Sequence, residues 1–574
     1  MQLRVSKIII LFFLLFSLSG MGQQPYSNVD FRSPVDFPIL LSGTFGELRS
    51  GHFHSGIDIK TGGVSGKDIL AIGDGWVSRV KVSPGGFGNA IYITHPEGYT
   101  SVYAHLDEFG SKVSGYVLSE QYKRKSFAVD IPVAKGRFPV KKGEVIAKSG
   151  NSGSSAGPHL HFEIRDAATQ NIINPLHFGF VVKDFIRPKI TGLMVYPESN
   201  TTLIDGKNVA RKYNLDGWGP VYRPADYYKI SVSGPFSLGI KAHDILNDSY
   251  NKNGVYRYEM FVDNQKVFSW IADVFSFSET RYINSFVDYE NYINRNGRYI
   301  RTAIDPNNKL SMYNGGNGII DFKEPGEHEV KFLAMDFAGD TSVLTISFIA
   351  SVDFGKPLEN SIPKSDENLL SLKWNKPVEI LRDYVSLKMV SGTLFDDLDI
   401  VLKNEPLPQG VKGFSGLVTV GDVTQTSYLN FDLALDVTVT KTELTDKICL
   451  AMYDEGDISY AGGSYDNGKV AIRTRSFGQY FVTADTIAPE ITPVNLSLQG
   501  GTRLLKFKIS DDLSGISDYK AFFNDRWVLF RYDAKNDLIW YERDKHLPKG
   551  KIDFKLVVTD GKGNEATFER ALVN

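Results

Sequence analysis

The sequence predicts a mainly all-β protein built from several domains, and three observations carry that expectation. Its 574 residues exceed what one hydrophobic core encloses, so at roughly 150 residues per domain about four units are expected. Aromatic residues at 12% and 53 glycines favour pleated, turn-rich structure. Beyond its first third the chain reads as short alternating strands separated by Gly, Asn, Asp and Pro turns, the pattern of β-sandwich modules. A content of 42% hydrophobic and 23% charged residues excludes wholesale disorder, collagen and multi-span membrane architectures.

From the N-terminus, residues 1–22 have the layout of a secretory signal peptide. Arg4 and Lys7 precede an apolar stretch from Ile8 to Leu18, followed by Gly20-Met21-Gly22. A membrane anchor needs ~20 apolar residues, so cleavage after Gly22 is expected, leaving an exported mature chain without a transmembrane span. The stretch has no cysteine, which argues against a lipid-anchored form. Residues 23–185 are expected to fold as the first unit. Downstream, Asp184-Phe-Ile-Arg-Pro188-Lys-Ile190 is echoed by Asp485-Thr-Ile-Ala-Pro489-Glu-Ile491. Gly254…Tyr258 is echoed by Gly515…Tyr519, and Asp336-Phe-Ala-Gly339 by Asp560-Gly-Lys-Gly563. These echoes predict two copies of one immunoglobulin-like β-sandwich, at 186–351 and 486–574. Between them, 352–485 is a β-rich module of unknown type, opened by a linker around Pro357 and Pro363.

Charge and cysteine usage narrow the function classes. Lys+Arg 64 against Asp+Glu 67 gives a net charge of -3, so no global electrostatic footprint for nucleic acid is present. The single cysteine, Cys449, lies in the apolar run Ile448-Cys449-Leu450, which excludes an intrachain disulfide or a cysteine metal cluster and reads as core.

Histidine is concentrated early, with seven of ten between His52 and His177. His54-Ser-Gly56-Ile-Asp58 sets an imidazole and a carboxylate four residues apart. On an ideal strand that is ~13 Å, too far to share an ion, so the chain must curl, and Gly56 permits it. His159-Leu-His161-Phe-Glu163 reads as a strand with both histidines on one face and Leu160 and Phe162 turned to a core. Asn89 to His95 and Tyr99 to His105 form a hairpin, with Ser101, Tyr103 and His105 expected on one face. Two strand histidines beside a His/Asp pair make a metal constellation. Leu118 to Lys125, inside the excursion Asp107 to Arg137, is expected as a short helix, either on the surface or as a groove lid. His52 is a candidate polar contact, and His95 and His177 read as turn and core residues. Arg49 reads either as a substrate contact or as a solvated strand end.

His54-x-Gly-x-Asp58, Tyr103-Ala-His105-Leu106, Val140-Lys-Lys-Gly143-Glu-Val-Ile146 and Gly157-Pro-His159-Leu-His161-Phe-Glu163 occur in this order, with an Asp-Gly-Trp76 turn and a Gly85-Gly-Phe-Gly88-Asn loop. Over residues 36–180 the chain thereby resembles the lysostaphin/LytM-type zinc metallopeptidases, peptidoglycan endopeptidases of the duplicated hybrid motif fold. The resemblance implies an antiparallel β-sheet zinc peptidase domain with its site in an open groove. It also implies one Zn2+ per chain held by His54, Asp58 and His161, with His105 and His159 as catalytic histidines that do not bind metal; which of the two is the general base stays open. The gap from His105 to His159 is longer than in the family. Three functions are compatible with this reading: an exported metalloendopeptidase hydrolysing peptide cross-links of peptidoglycan in the periplasm or cell envelope, a catalytically silent wall-binding or regulatory scaffold, or a secreted protease of glycine-rich proteins. Expected partners are peptidoglycan peptides and, through the β modules, a wall or envelope protein.

Overall fold

A computed structural model describes residue 26 and residues 29–351, 368–437, 442–501 and 503–574; the expected signal peptide 1–22 and the expected linker around Pro357 and Pro363 lie outside them. The chain is mainly β, 49% strand and 8% helix. Among the described residues no helix is long and apolar enough to cross a membrane.

The strand that carries two histidines, His159–Asp166, lies inside the first sheet. On one side it pairs antiparallel with Ile57–Lys60, on the other with Tyr99–Leu106. Alternation does what the sequence requires. Ile57, Ile59, Tyr103, Leu160, Phe162 and Ile164 face a common core, while the opposite face carries Asp58, His159, His161, Glu163 and Arg165 above Ala90, Tyr92, Val102 and Ala104. The pairing His161↔Asp58 sets the first two candidate ligands side by side. Asn89–Thr94, Gly75–Val82 and Val129–Pro132 complete that flank of the sheet.

The excursion after His105 contains a helix, Ser111–Arg124, longer than the 118–125 segment expected. Val113, Val117 and Gln121, spaced by four, are its buried side. It ends at Lys125, whose φ of 50° is left-handed. The helix is neither a plain surface excursion nor a lid, because it packs on the C-terminal module. Tyr122 stacks on His546 at 3.9 Å and meets Trp527 edge-on at 5.3 Å, and its hydroxyl donates to Asp544.

Residues 189–350 build two sheets. Lys189–Pro197 pairs with Phe236–His243 in one, while Arg257–Val262, Gly326–Met335 and Thr341–Ala350 run together in the other. The units 368–484 and 490–573 each have two sheets and a core of their own. The first two units do not: one continuous core runs from Val35 to Phe348 and also takes in Phe395 of the next unit. Phe45 and Phe53, at 2% and 1% exposure, pack on Phe275, Trp270 and Phe286 with ring centroids 5.2 to 6.2 Å apart, and Ile172–Ile173 pairs with Val274–Phe275. Residue 185 is a boundary of pattern, not of packing. Uncovering Phe45 and Phe53 alone loses ~3–6 kcal/mol of burial, a large part of a domain's ~5–15 kcal/mol. A fragment of residues 23–185 is therefore expected to lack a cooperative thermal transition that residues 23–351 retain. Circular dichroism melts of both check it, and a cooperative melt of the shorter fragment would show the sandwich to be dispensable for folding.

Candidate metal centre and catalytic groove

His54 reaches the sheet from the loop after the two-residue strand His52–Phe53, and Asp58 sits in the next strand. Gly56 between them is needed for space rather than for an unusual φ, since a side chain there would collide with the Phe162 carbonyl. His54 Nε2, Asp58 Oδ1 and His161 Nδ1 form a triangle with all three sides 3.0 Å. The three residues are 2%, 4% and 3% exposed, so all three are buried.

Hydrogen bonds fix what the triangle presents. His54 Nδ1 lies 2.8 Å from the Thr44 carbonyl; a carbonyl only accepts, so Nδ1 carries the proton and Nε2 a lone pair. His161 Nε2 donates to Glu163 Oε1 at 3.0 Å, which leaves the Nδ1 lone pair inward. Glu163, wholly buried, also accepts from Ser55 Oγ at 2.5 Å and Arg165 Nε at 2.7 Å. Burial alone would raise its carboxyl, but the Arg165 guanidinium and His161 hold it down at about 2. Asp58 Oδ2 accepts from Arg49 Nη2 at 2.6 Å. Arg49 is thus not merely a solvated strand end: it clamps a candidate ligand.

Two ring lone pairs and a carboxylate oxygen converging at 3.0 Å need a cation between them. Ligands ~2.0–2.1 Å from a tetrahedral zinc stand ~3.3–3.4 Å apart, so the triangle fits that ion with a shift of a few tenths of an ångström. The same pull acts on protons: burial disfavours a charged His161, yet its bonds to Asp58 and Glu163 push it up to about 9, so a proton on Nδ1 competes with a metal for that lone pair. Burial likewise opposes the Asp58 carboxylate, while His54 and the hydrogen bond to His161 hold it well below the usual range. Each histidine is backed by an outer acceptor, as metal-ligating imidazoles are.

His105 and His159 stand beside the triangle with ring centroids 4.8 Å apart. Nδ1 of His105 donates to the Ser152 carbonyl at 2.9 Å, and Nδ1 of His159 to the Gly157 carbonyl at 2.8 Å. In both rings Nε2 is therefore the basic nitrogen. His159 Nε2 lies 3.4 Å from Asp58 Oδ1 and makes no hydrogen bond. Burial, then His161 and His159, drop His105 to about 3, a neutral imidazole at working pH.

The expected shared face of Ser101, Tyr103 and His105 is wrong. Ser101 and Tyr103 bond each other on the core side, and alternation would send His105 there too. A register shift between Asn89↔Leu106 and Ile91↔Tyr103 marks a bulge, and His105 takes φ 59°, a left-handed conformation uncommon for a side-chain-bearing residue. The bulge turns His105 onto the site face, 5.8 Å from the His161 ring. Of the other histidines, His52 is exposed and only meets Ser50 O, whereas His95 and His177 are buried and hydrogen-bonded away from the site. Glu163 and Arg165 received no role from the sequence; their signal was continued alternation along the His159–Asp166 strand.

The loop holding both catalytic candidates is itself held. Lys535 of the C-terminal module donates to the Ser155 carbonyl at 2.9 Å and to the Asn151 carbonyl, and Arg503 faces Asp107 at 3.9 Å.

Residues 52–122 and 128–175 match the profile of Peptidase family M23. Residues 370–485, the module without a name in the sequence, match that of a Zu5-like domain. A Haemophilus influenzae protein named an uncharacterized metalloprotease is 32% identical over 21% of this chain and 20% of its own length. The DD-carboxypeptidase/endopeptidase Mpg of Neisseria meningitidis is 35% identical over 21% of each. The murein hydrolase activator NlpD of Escherichia coli is 34% identical over 24% of this chain and 28% of its own. The chain thus spans under a third of the length of these relatives.

Proposed function

Because the chain carries a peptidase M23 domain of the LytM/lysostaphin type, we propose that it is an exported zinc metalloendopeptidase that hydrolyses peptide cross-links of peptidoglycan in the cell envelope. One observation carries the reading: the converging atoms of His54, Asp58 and His161 lie in that domain with the Nε2-basic rings of His105 and His159 beside them. Members of the family are zinc-dependent, and zinc here would supply Lewis-acid polarisation of the scissile carbonyl and acidify a water.

This chain's residues do the rest. Thr44 O and Glu163 lock the two ligand imidazoles in the tautomers that point lone pairs inward. Arg49 fixes Asp58 by its second oxygen. Of His105 and His159, one accepts the proton of the attacking water at Nε2, and the other, once protonated at its own Nε2, donates there to the tetrahedral oxygen or the leaving amine. The Ser152 and Gly157 carbonyls keep both rings in that orientation, and Lys535 ties down the loop that bears them.

The match to an activator of murein hydrolases supports a second reading, in which the domain recognises wall peptides and regulates another enzyme without cutting. Incubation of the mature protein with purified sacculi, with and without chelator, separates the two. Expected is release of fragments cut at peptide bonds, identified by mass spectrometry, abolished by chelator and restored by zinc. Zinc-loaded protein that binds sacculi yet releases nothing would overturn the enzyme reading in favour of the activator.

A further inference from the structure

We propose that Asp184, Asp244 and Asp336 form a second, structural cation site of the oxygen-ligated kind that calcium occupies, where the peptidase domain joins the following sandwich. The three carboxylates bring one oxygen each within 4.8 Å of the others. Asp244 is 3% and Asp336 2% exposed, and Asp244 Oδ1 and Asp336 Oδ2 are buried without a donor. A third orphan is the Oδ1 of Asn253, which faces Asp244 across a bridge closed by main-chain bonds of 3.0 and 2.8 Å. Cross-strand partners present their side chains to one face, so Asn253 adds a neutral oxygen to the group. Asp340, paired at 3.2 Å with Arg187, stands outside this trio but adds its charge to that around Asp244 and Asp336. Buried carboxylates that face one another with an oxygen left without a donor, as Asp244 and Asp336 do, are costly to hold, and a hard cation that takes six to eight oxygens relieves the cost.

The chain contains its own control. The turns Asp336 to Asp340 and Asp560 to Asn564 have the same pair of main-chain bonds, 3.1 and 3.3 Å in each, and Asp485 stands where Asp184 stands. In the second copy the protein supplies the donors. Asn564 Nδ2 gives to Asp560 Oδ2 at 2.6 Å and the Lys562 and Asn564 amides to its Oδ1 at 2.8 Å. Asp184 and Asp485 take matching bonds from Ile186 N and Ile487 N, and Asp485 gains a second from Ser514 N; Asp511 keeps one open oxygen, next to exposed Asp512. In the first copy the Asn564 position is Asp340, whose main-chain amide still serves Asp336 Oδ1 at 2.8 Å but whose side chain has no amide to give to Oδ2.

Access and consequence are both visible. Asp184 and Asp244 line a cavity of about 240 Å³ together with Thr44, Phe45 and Tyr256. Asn253 is followed by Gly254, whose N–H donates to Thr44 Oγ1 at 3.0 Å, and Thr44 is the residue whose carbonyl orients His54. An ion on Asp244 and Asn253 therefore pins the segment that backs the first histidine of the metal centre. Protons are the competing occupants, because burial and then the neighbouring carboxylates push Asp244 up to about 8 and Asp336 up to about 7.

The test uses the full-length mature chain dialysed against calcium-free buffer containing micromolar zinc. Calcium bound per chain is measured by equilibrium dialysis and mass spectrometry, and the melting temperature with and without 1 mM calcium. Expected is one calcium per chain and a rise of about 5 °C or more, a ligand-linked shift of the usual size. The binding should persist in His161→Ala, which separates it from the zinc centre, and in Asp560→Asn. It should fall at least tenfold in affinity in Asp244→Asn and Asp336→Asn. Absence of calcium binding by the unsubstituted chain overturns the proposal whatever the variants do. A cation-free chain that Asp244→Asn stabilises, with no response to calcium, would assign the cluster to protons instead.

Discussion

Replacement of Asp58 by alanine is expected to strip the metal centre and abolish peptidase activity while leaving the sheet folded. Asp58 Oδ1 is one of three atoms that meet at 3.0 Å, and its Oδ2 holds Arg49. Without it, His54 Nε2 and His161 Nδ1 face each other with no anion, beside a guanidinium that has lost this bond. Removing only an outer hydrogen-bond partner of a metal ligand lowers affinity ~10–100-fold. Loss of a ligand, and of the charge that offsets the ion's, must exceed that. The same reasoning predicts near-empty centres in His54→Ala and His161→Ala. Zinc per chain by mass spectrometry, close to one in the parent and close to zero in the variants, checks it; full occupancy in Asp58→Ala would refute the ligand assignment. Because Asp58 lies in a strand paired on both sides through main-chain bonds, the far-ultraviolet circular dichroism should be unchanged.

How far the sequence could be read follows from which interactions are local. The His159–Asp166 strand was legible because period-two alternation is a property of a few consecutive residues, and Leu160 and Phe162 are indeed fully buried while the histidines share the other face. The His54/Asp58 pair was legible as a pattern, but the reason for Gly56 was not, since the obstacle is the Phe162 carbonyl on a strand about a hundred residues away. His105 was found from the hairpin pattern, but its shared face with Ser101 and Tyr103 was misplaced, because a bulge inserts one residue into a ladder and leaves no mark on composition. Arg49 was ambiguous for a related reason: its partner is chosen by tertiary approach at Gly43, where a side chain would displace both Arg49 and Asp58. The shared core was invisible altogether. Phe45 and Phe275 stack across 230 positions of sequence, and the echo at Asp184 and Asp485, read as a simple domain boundary, conceals that only the first copy merges with its neighbour.

Substitution of His105 or His159 by alanine is expected to leave zinc bound and lower turnover by about 10²–10⁴-fold, the usual contribution of a positioned acid or base. The geometry separates these two from the ligands. His161 Nδ1 is 3.0 Å from both His54 Nε2 and Asp58 Oδ1, whereas His159 Nε2 is 3.4 Å from Asp58 Oδ1 without bonding it. Main-chain carbonyls tether both catalytic candidates at Nδ1 and so fix the tautomer that leaves Nε2 basic. An alanine removes that nitrogen but takes nothing from the triangle. His105 is held by its bulge at φ 59° and by Ser152, so His105→Ala should also relax the local backbone, with a small gain or loss of stability that does not track the loss of rate. The measurement is zinc content and cross-link cleavage on the same preparations. Near-normal turnover in both zinc-loaded variants would remove the histidines from proton transfer. Loss of zinc in His159→Ala, with zinc retained in His161→Ala, would mean that the two strand histidines have exchanged roles.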